Sequence, residues 1–197
     1  MSDAAQLRMD GDEFLVWCQD QEDTYELIDG LPVRKFDNGP EMMAGGTRNH
    51  ARIAGNLIVA LGTRLRGGPC YPVGGDMAVR IDRGHLRRPD VTVECARGRA
   101  GDLEAVEPKV LIEVLSPATR RLDLLRKTNE YQRVPSAMHL LTFEPEKAKA
   151  LLWSRDLGGG WGVEEVTGLD AMLDLPALGV TLSMAEVYAD VELTAEA

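Results

Sequence analysis

The sequence predicts an α/β protein, more fully an α+β arrangement in which helices flank a central mixed β-sheet. Residues 110–115 form a nearly continuous apolar run bounded by Pro108 and Pro117, as expected of a central strand covered on both faces. Helical and strand-like patterns also interchange along the chain, which favours a sheet with helices packed against it. With 197 residues and no internal repeat or long linker, the chain fits one domain.

The first half contains the clearest predicted helix. Before it, residues 11–21 suit a short helix, residues 25–30 a strand that ends in a turn, and residues 37–49 a loop. Asn49 is a candidate N-cap for the long helix, which should stop at the Gly-Gly-Pro of residues 67–69. Its apolar residues recur at every fourth position and form one stripe: Ile53, Leu57, Leu61 and Leu65.

The second half alternates between strands and helices. Residues 77–82 alternate apolar and polar side chains, and a turn at residues 82–84 should lead into a second strand over residues 86–95. After the central strand come four further predicted elements: a helix over about 119–133, a strand over 139–143, a hairpin of 150–153 and 161–166, and a closing helix over 183–190. Ser183 and Glu186 match a capping box at the start of that last helix.

Composition argues for a globular protein inside the cell. No apolar run approaches the roughly 20 residues that span a bilayer, and residues 1–12 lack a signal-peptide pattern. We therefore expect no membrane association and a cytoplasmic location. The cysteines, Cys18, Cys70 and Cys95, are odd in number and far apart. This spacing predicts reduced, buried thiols rather than a disulfide framework or a zinc site.

The charge distribution leaves nucleic-acid binding open. The chain has 32 acidic and 22 basic residues, a net charge of −10, whereas proteins that bind polyanions usually show a basic footprint. Residues 42–133 nevertheless carry a net charge of +6, and residues 42–75 contain four arginines and no acid. A solvated surface and a phosphate-facing surface both agree with this cluster.

Three acids mark the strongest candidate site. Glu113 lies within the apolar central strand, where a carboxylate costs several kcal/mol unless a cation or hydrogen bonds compensate it. Asp90 stands at the entry to the neighbouring predicted strand, and Asp76 precedes the strand before that. If these strand ends lie side by side, the three acids converge. Oxygen ligands of this kind suit Mg²⁺ or Mn²⁺.

Other polar residues have two readings each. Asp123, Lys127 and Tyr131 are spaced four apart and share one helix face, which either supports an exposed helix or turns inward toward Glu113. His50 either belongs to the helix start or contacts phosphate and transfers protons. Glu26, on an alternating strand, either faces solvent or joins the site. Phosphate-binding glycine loops, dinucleotide fingerprints and serine-hydrolase elbows are absent from the sequence.

The ordered set of motifs resembles the Uma-type restriction endonuclease family of the PD-(D/E)XK nuclease superfamily. The resemblance extends over about residues 14–188, the expected extent of the core, and rests on these segments: residues 25–30, residues 43–47 leading to His50, residues 76–77, residues 88–91, and residues 112–117 with Thr119, Asp123, Lys127 and Tyr131. It implies a restriction-endonuclease-like fold, metal ligands at Asp90 and Glu113, supporting roles for Asp76, Glu26 and His50, and a homodimer.

One position departs from the superfamily pattern. In the usual active-site strand a lysine follows the acid by two residues, but this chain has Leu115 there. The family resemblance implies that the lysine has moved to the next helix, which makes Lys127 the candidate.

We therefore expect a Mg²⁺- or Mn²⁺-dependent endonuclease acting on DNA. Asp90 and Glu113, supported by Asp76 and the backbone carbonyl of Val114, would form the metal site, and Lys127 would position the attacking water. Two alternatives remain: an inactive DNA- or partner-binding module on the same fold, and a hydrolase or transferase for a small phosphorylated substrate.

Overall fold

The computed structural model describes residues 8–35, 47–115 and 122–194, with the side chains of residues 122 and 123 excluded. These residues form a mixed α+β fold. Its elements, in chain order, are α1 (Gly11–Cys18), β1 (Tyr25–Ile28), β2 (Leu31–Arg34), α2 (Arg48–Arg64), β3 (Tyr71–Gly74), β4 (Val79–Asp82), β5 (His85–Arg87), β6 (Val91–Glu94), β7 (Pro108–Val114), α3 (Leu122–Tyr131), β8 (His139–Phe143), β9 (Lys149–Arg155), β10 (Trp161–Thr167), β11 (Met172–Leu175), β12 (Val180–Ser183) and α4 (Met184–Val187).

Two sheets organise the fold. The large sheet has the order β10-β9-β8-β7-β6-β3, and the small sheet has the order β2-β1-β5-β4; β11 and β12 form a separate hairpin. In the large sheet β7 and β8 run parallel, with α3 between them in sequence, and the other neighbouring strands run antiparallel. The mixed sheet flanked by helices confirms the predicted fold class. No helix within the described ranges is long and apolar enough to cross a membrane.

The central strand β7 is covered on both faces, as the apolar run predicted. Val110, Ile112 and Val114 belong to the main core together with the α2 stripe, whereas Leu111 packs in a second cluster with Tyr131 of α3. Because side chains alternate along a strand, Glu113 lies on the Leu111 face, toward α3. This alternation explains how an acid can interrupt an apolar strand without entering the main core.

Several local predictions need correction. The predicted strand over residues 86–95 is two strands, β5 and β6, that belong to different sheets. Pro89 lies between them, and a proline, which lacks a backbone N–H, disfavours a continuous paired strand. The N-cap of α2 is Thr47, which accepts the His50 backbone N–H at 3.3 Å, rather than Asn49. Asn49 instead donates its side-chain amide to the carbonyls of Pro145 and Glu192.

The cysteine prediction is wrong. Cys70 and Cys95 form a disulfide, and Cys18 is the free cysteine. The two bonded residues flank the β3–β6 ladder, in which Tyr71 pairs with Glu94, so they stand opposite each other across the two strands.

Candidate active site

Two carboxylates from neighbouring strands meet at one end of the large sheet. The β6–β7 register pairs Val91 with Ile112, so continuing it by one residue brings Asp90 opposite Glu113. The backbone N–H of Val114 donates to Asp90 Oδ2 at 2.8 Å, which fixes the acid against β7. Both side chains are buried. The structure thus brings together the two acids that the strand pattern singled out.

Asp90 has two side-chain partners in addition to the Val114 N–H. Its Oδ1 lies 3.2 Å from Lys35 Nζ, and its Oδ2 lies 3.0 Å from His50 Nε2. Burial alone would raise the pKa of Asp90, but the His50 hydrogen bond and the Lys35 charge hold it well below its usual range. Asp90 is therefore an anion stabilised on both oxygens. His50 lies in the first turn of α2 and also contacts Asp90, so it belongs both to the helix start and to the site.

Glu113 receives its partners from α3. Lys127 Nζ lies 3.1 Å from each carboxylate oxygen, and the Tyr131 hydroxyl donates to Oε1 at 2.5 Å. The four-residue spacing of these side chains places them on one helix face, and that face turns inward. The Asp123 side chain, predicted on the same face, lies outside the described residues, as do Met43, Thr119 and residues 116–117 of the motif set.

The electrostatic environment of Glu113 differs from that of Asp90. Burial raises the pKa of Glu113, and the negative charges of Asp90 and Glu26 add to this effect, while Lys127 and Lys35 oppose it. Burial together with the Glu113 charge also raises the pKa of Tyr131 well above its ordinary value, so Tyr131 remains a hydrogen-bond donor. The pKa values of the two acids are thus shifted in opposite directions, a pattern typical of functional sites.

Glu26 is buried and belongs to a second ion network beside the site. Its Oε2 accepts Arg87 Nη1 at 2.8 Å, and its Oε1 accepts the Arg88 backbone N–H at 3.0 Å. Although burial alone would raise the pKa of Glu26, the charges of Lys127 and Arg87 lower it overall. Arg87 also binds Glu130 of α3. Of the two readings of Glu26, the structure supports the inward one.

Asp76 does not join the two acids. It is exposed in the turn before β4, and its backbone carbonyl accepts a hydrogen bond from Arg88. Within residues 8–35, 47–115 and 122–194, no three His, Cys, Asp or Glu side chains lie close enough together to hold one metal ion. The predicted convergence of three acids is therefore absent from this arrangement, which has a pair of acids instead.

Sequence reasoning missed three residues of the site. Arg87 and Glu130 are charged residues within amphipathic elements, and their buried pairing depends on how the small sheet meets α3. Glu130 follows Lys127 by three residues, a spacing that could have indicated a wider inward face on α3. Lys35 directly follows β2, and no local sequence pattern indicates its contact with Asp90, which is 55 residues away.

The fold and the buried acid pair define a restriction-endonuclease-like protein. A solved structure with the same fold supports this class: "a putative nuclease belonging to DUF820 from Anabaena variabilis" has a TM-score of 0.69 and 15% sequence identity, with 90% of this chain and 96% of that chain covered. Residues 12–185 match the family described as "Uma2: Putative restriction endonuclease". The chain belongs to this family. An uncharacterized protein of Synechocystis sp. is 26% identical over 183 residues, which cover 92% of each chain.

Proposed function

We propose that this protein is a divalent-metal-dependent endonuclease that hydrolyses phosphodiester bonds in DNA. The observation that carries the proposal is the buried pair of Asp90 and Glu113 on adjacent strands, with Lys127 in contact with Glu113. Two acids and an amine on this framework correspond in chemistry to the metal ligands and the lysine of the superfamily. Family membership supports the same class of reaction.

The donor set fits Mg²⁺ or Mn²⁺. Both ions bind oxygen ligands, and Mg²⁺ commonly uses one or two carboxylates while keeping several waters. Asp90 and Glu113, together with the Val114 carbonyl, would supply the protein ligands. Thr142 pairs with Glu113 in the β7–β8 register, and its buried hydroxyl has no hydrogen-bond partner among the described residues. A water molecule would satisfy that hydroxyl, which suits a hydrated ion.

The chain's own residues have separate roles. When bound, the metal would supply a water of lowered pKa and stabilise charge on the phosphate. Lys127, which contacts both Glu113 oxygens, would orient the attacking water, and Tyr131 fixes the Glu113 carboxylate by its hydrogen bond. His50 and the Val114 N–H fix Asp90 in the same way. Glu26, paired with Arg87, keeps the β1 and β5 side of the site in place.

An exposed arginine face on α2 supports DNA as the substrate. Arg48 and Arg52 lie on the first turns of α2, the helix whose His50 contacts Asp90, and residues 47–75 contain no acid. The small residues Ala51 and Gly55 line a surface groove of about 450 Å³ together with the two arginines. Arginines on such a face can contact phosphates, and the small residues leave room for the DNA backbone to approach the helix.

Cleavage of supercoiled and linear DNA with Mg²⁺ or Mn²⁺ tests the proposal. Asp90→Ala, Glu113→Gln and Lys127→Met should each lower the rate about 100-fold or more, a loss typical of removing a group that stabilises the transition state. Glu164→Gln, an exposed acid on β10, is the matched control and should keep wild-type activity. Equal activity in all five proteins would indicate a contaminating nuclease.

Two further outcomes identify the alternatives. DNA binding without cleavage and without Mn²⁺ uptake in calorimetry would indicate a binding module that retains the fold. Cleavage of a small phosphodiester but not of DNA would indicate an enzyme for a small phosphorylated substrate. The resemblance also supports a homodimer, and sedimentation equilibrium should give twice the mass of one chain.

A further inference from the structure

We propose that the Lys35 ammonium holds the place of a divalent ion beside Asp90 and Glu113 in the metal-free protein and leaves that place when the ion binds. The inference rests on the proposed metal chemistry and adds a role for a lysine that neither the strand pattern nor the family motif indicated. It makes Lys35 part of the metal-binding event rather than a fixed structural partner.

The hydrogen bonds of Asp90 show which oxygen can change partners. Oδ2 accepts two donors, His50 Nε2 at 3.0 Å and the Val114 N–H at 2.8 Å, and both donors are held by regular structure. Oδ1 contacts Lys35 Nζ at 3.2 Å. An incoming cation would therefore compete with Lys35 at Oδ1, while Oδ2 keeps Asp90 oriented.

Lys35 contacts the acid that stands opposite Glu113. Its Nζ lies 3.2 Å from Asp90 Oδ1, and the β6–β7 register, continued by one residue, brings Asp90 opposite Glu113. Lys127, by contrast, contacts both oxygens of Glu113 directly. The two ammonium groups therefore contact different acids: Lys127 contacts Glu113, and Lys35 contacts Asp90 at the oxygen that a metal ion between the two acids would use.

The space around the Lys35 ammonium is confined. The side chain is only 7% exposed, and a Cβ built on Gly75 would lie 3.1 Å from Nζ and 3.6 Å from the Asp90 Cα. A buried ammonium loses much of its hydration, and the Asp90 carboxylate compensates that loss. An ion with two charges can replace one ammonium at the same carboxylate, and the flexible lysine stem allows Nζ to move without moving β2.

Acetylation of lysines in the folded wild-type protein tests the exchange directly. A short exposure to an amine-acetylating reagent, followed by mass spectrometry of peptides, should show slow modification of Lys35 without metal and about tenfold faster modification with saturating Mn²⁺. Exposed Lys147 is the internal reference, and Lys127 should stay protected in both states. The Asp90→Asn variant should lose the response to Mn²⁺.

A second measurement uses calorimetry. The Lys35→Met variant should bind Mn²⁺ with about tenfold higher affinity than the wild type, because the competing charge is gone, while Lys147→Met should match the wild type. Protection of Lys35 at saturating Mn²⁺, or an unchanged affinity in Lys35→Met, would overturn this inference alone. Absence of any Mn²⁺ uptake by the wild type would overturn the proposed metal chemistry, and this inference with it.

Discussion

Arg87 holds Glu130 through two nitrogens, with Nε 2.5 Å from Oε2 and Nη2 3.1 Å from Oε1. The third guanidinium nitrogen binds Glu26, so one arginine joins β5, β1 and α3. Arg87 is only 2% exposed. The helix that carries Lys127 and Tyr131 is thereby attached to the small sheet by charge as well as by packing.

Replacing the centre of this network should be costly. Arg87→Met would leave Glu26 and Glu130 buried without their main counterion, and we expect a loss of about 3–5 kcal/mol in the free energy of unfolding. Urea unfolding followed by circular dichroism measures the change. The matched control is Arg83→Met, because Arg83 is 88% exposed and pairs with Asp10, and such surface pairs contribute about 0–1 kcal/mol. Similar losses in both variants would contradict the prediction.

The arginine face of α2 should control how DNA binding depends on salt. Replacing Arg48 and Arg52 together by alanine removes two phosphate contacts, so the slope of log Kobs against log salt should become less negative by about 1.8. Fluorescence anisotropy with a labelled duplex in EDTA measures binding without cleavage. The control, Arg97→Ala with Arg99→Ala, makes the same change in net charge beyond the other end of β6. An identical slope in both double variants would argue against DNA binding by the arginine face of α2.

His139 should make stability depend on pH. It is buried at the start of β8, where Nε2 accepts the Ala177 N–H, so that Nδ1 carries the hydrogen donated to Ser154 Oγ. Burial lowers the pKa of His139 to about 4. Since an unfolded histidine titrates near 6.5, the unfolded chain binds more protons between these values, and stability falls as pH decreases through that window.

The expected loss from this histidine is about 2 kcal/mol between pH 7 and pH 5. Urea unfolding at both pH values measures it, and His139→Gln, which keeps an acceptor side chain but does not titrate, provides the comparison. The pH effect should be smaller in the variant by about that amount. A variant with the same pH dependence as the wild type would assign the effect to other groups.

The Cys70–Cys95 disulfide should stabilise the fold. Its two cysteines are 25 residues apart in sequence, and for a loop of that length restriction of the unfolded chain contributes about 3.5 kcal/mol. Reductant should therefore lower the thermal unfolding midpoint of the wild type but leave the Cys70→Ser, Cys95→Ser double variant unchanged. Cys18→Ser keeps the disulfide and should respond to reductant like the wild type. If reductant left the unfolding midpoint of the wild type unchanged, the disulfide would make no such contribution to stability.

Periodicity predicted the elements that place the acid pair. The apolar run of β7 and the stripe of α2 arise from local patterns, and both are buried as expected. Glu113 was recognisable because a charge in such a strand requires compensation. The β5–β6 boundary was missed although Pro89 marks it, because the residues on both sides favour strands equally.

Long-range pairing could not be predicted in the same way. Lys35 meets Asp90 because the small sheet packs beside the large one, and no sequence interval encodes that contact. The disulfide was missed for a related reason: Cys70 faces Cys95 only once β3 pairs with β6, and the short Tyr-Pro-Val-Gly segment of β3 gives little strand signal. Asp76 fails to join the acids because its turn leaves the side chain exposed.

The junction between β5 and β6 limits where homologues can differ in length. Only Arg88, Pro89 and Asp90 connect the two strands. Side-chain direction reverses at each residue of a strand, so inserting one residue there would rotate Arg87 or Asp90 away from its partners. Insertions and deletions should instead accumulate in residues 96–107, beyond the opposite end of β6 and the disulfide, where a change in length leaves the side-chain directions of Arg87 and Asp90 unaltered.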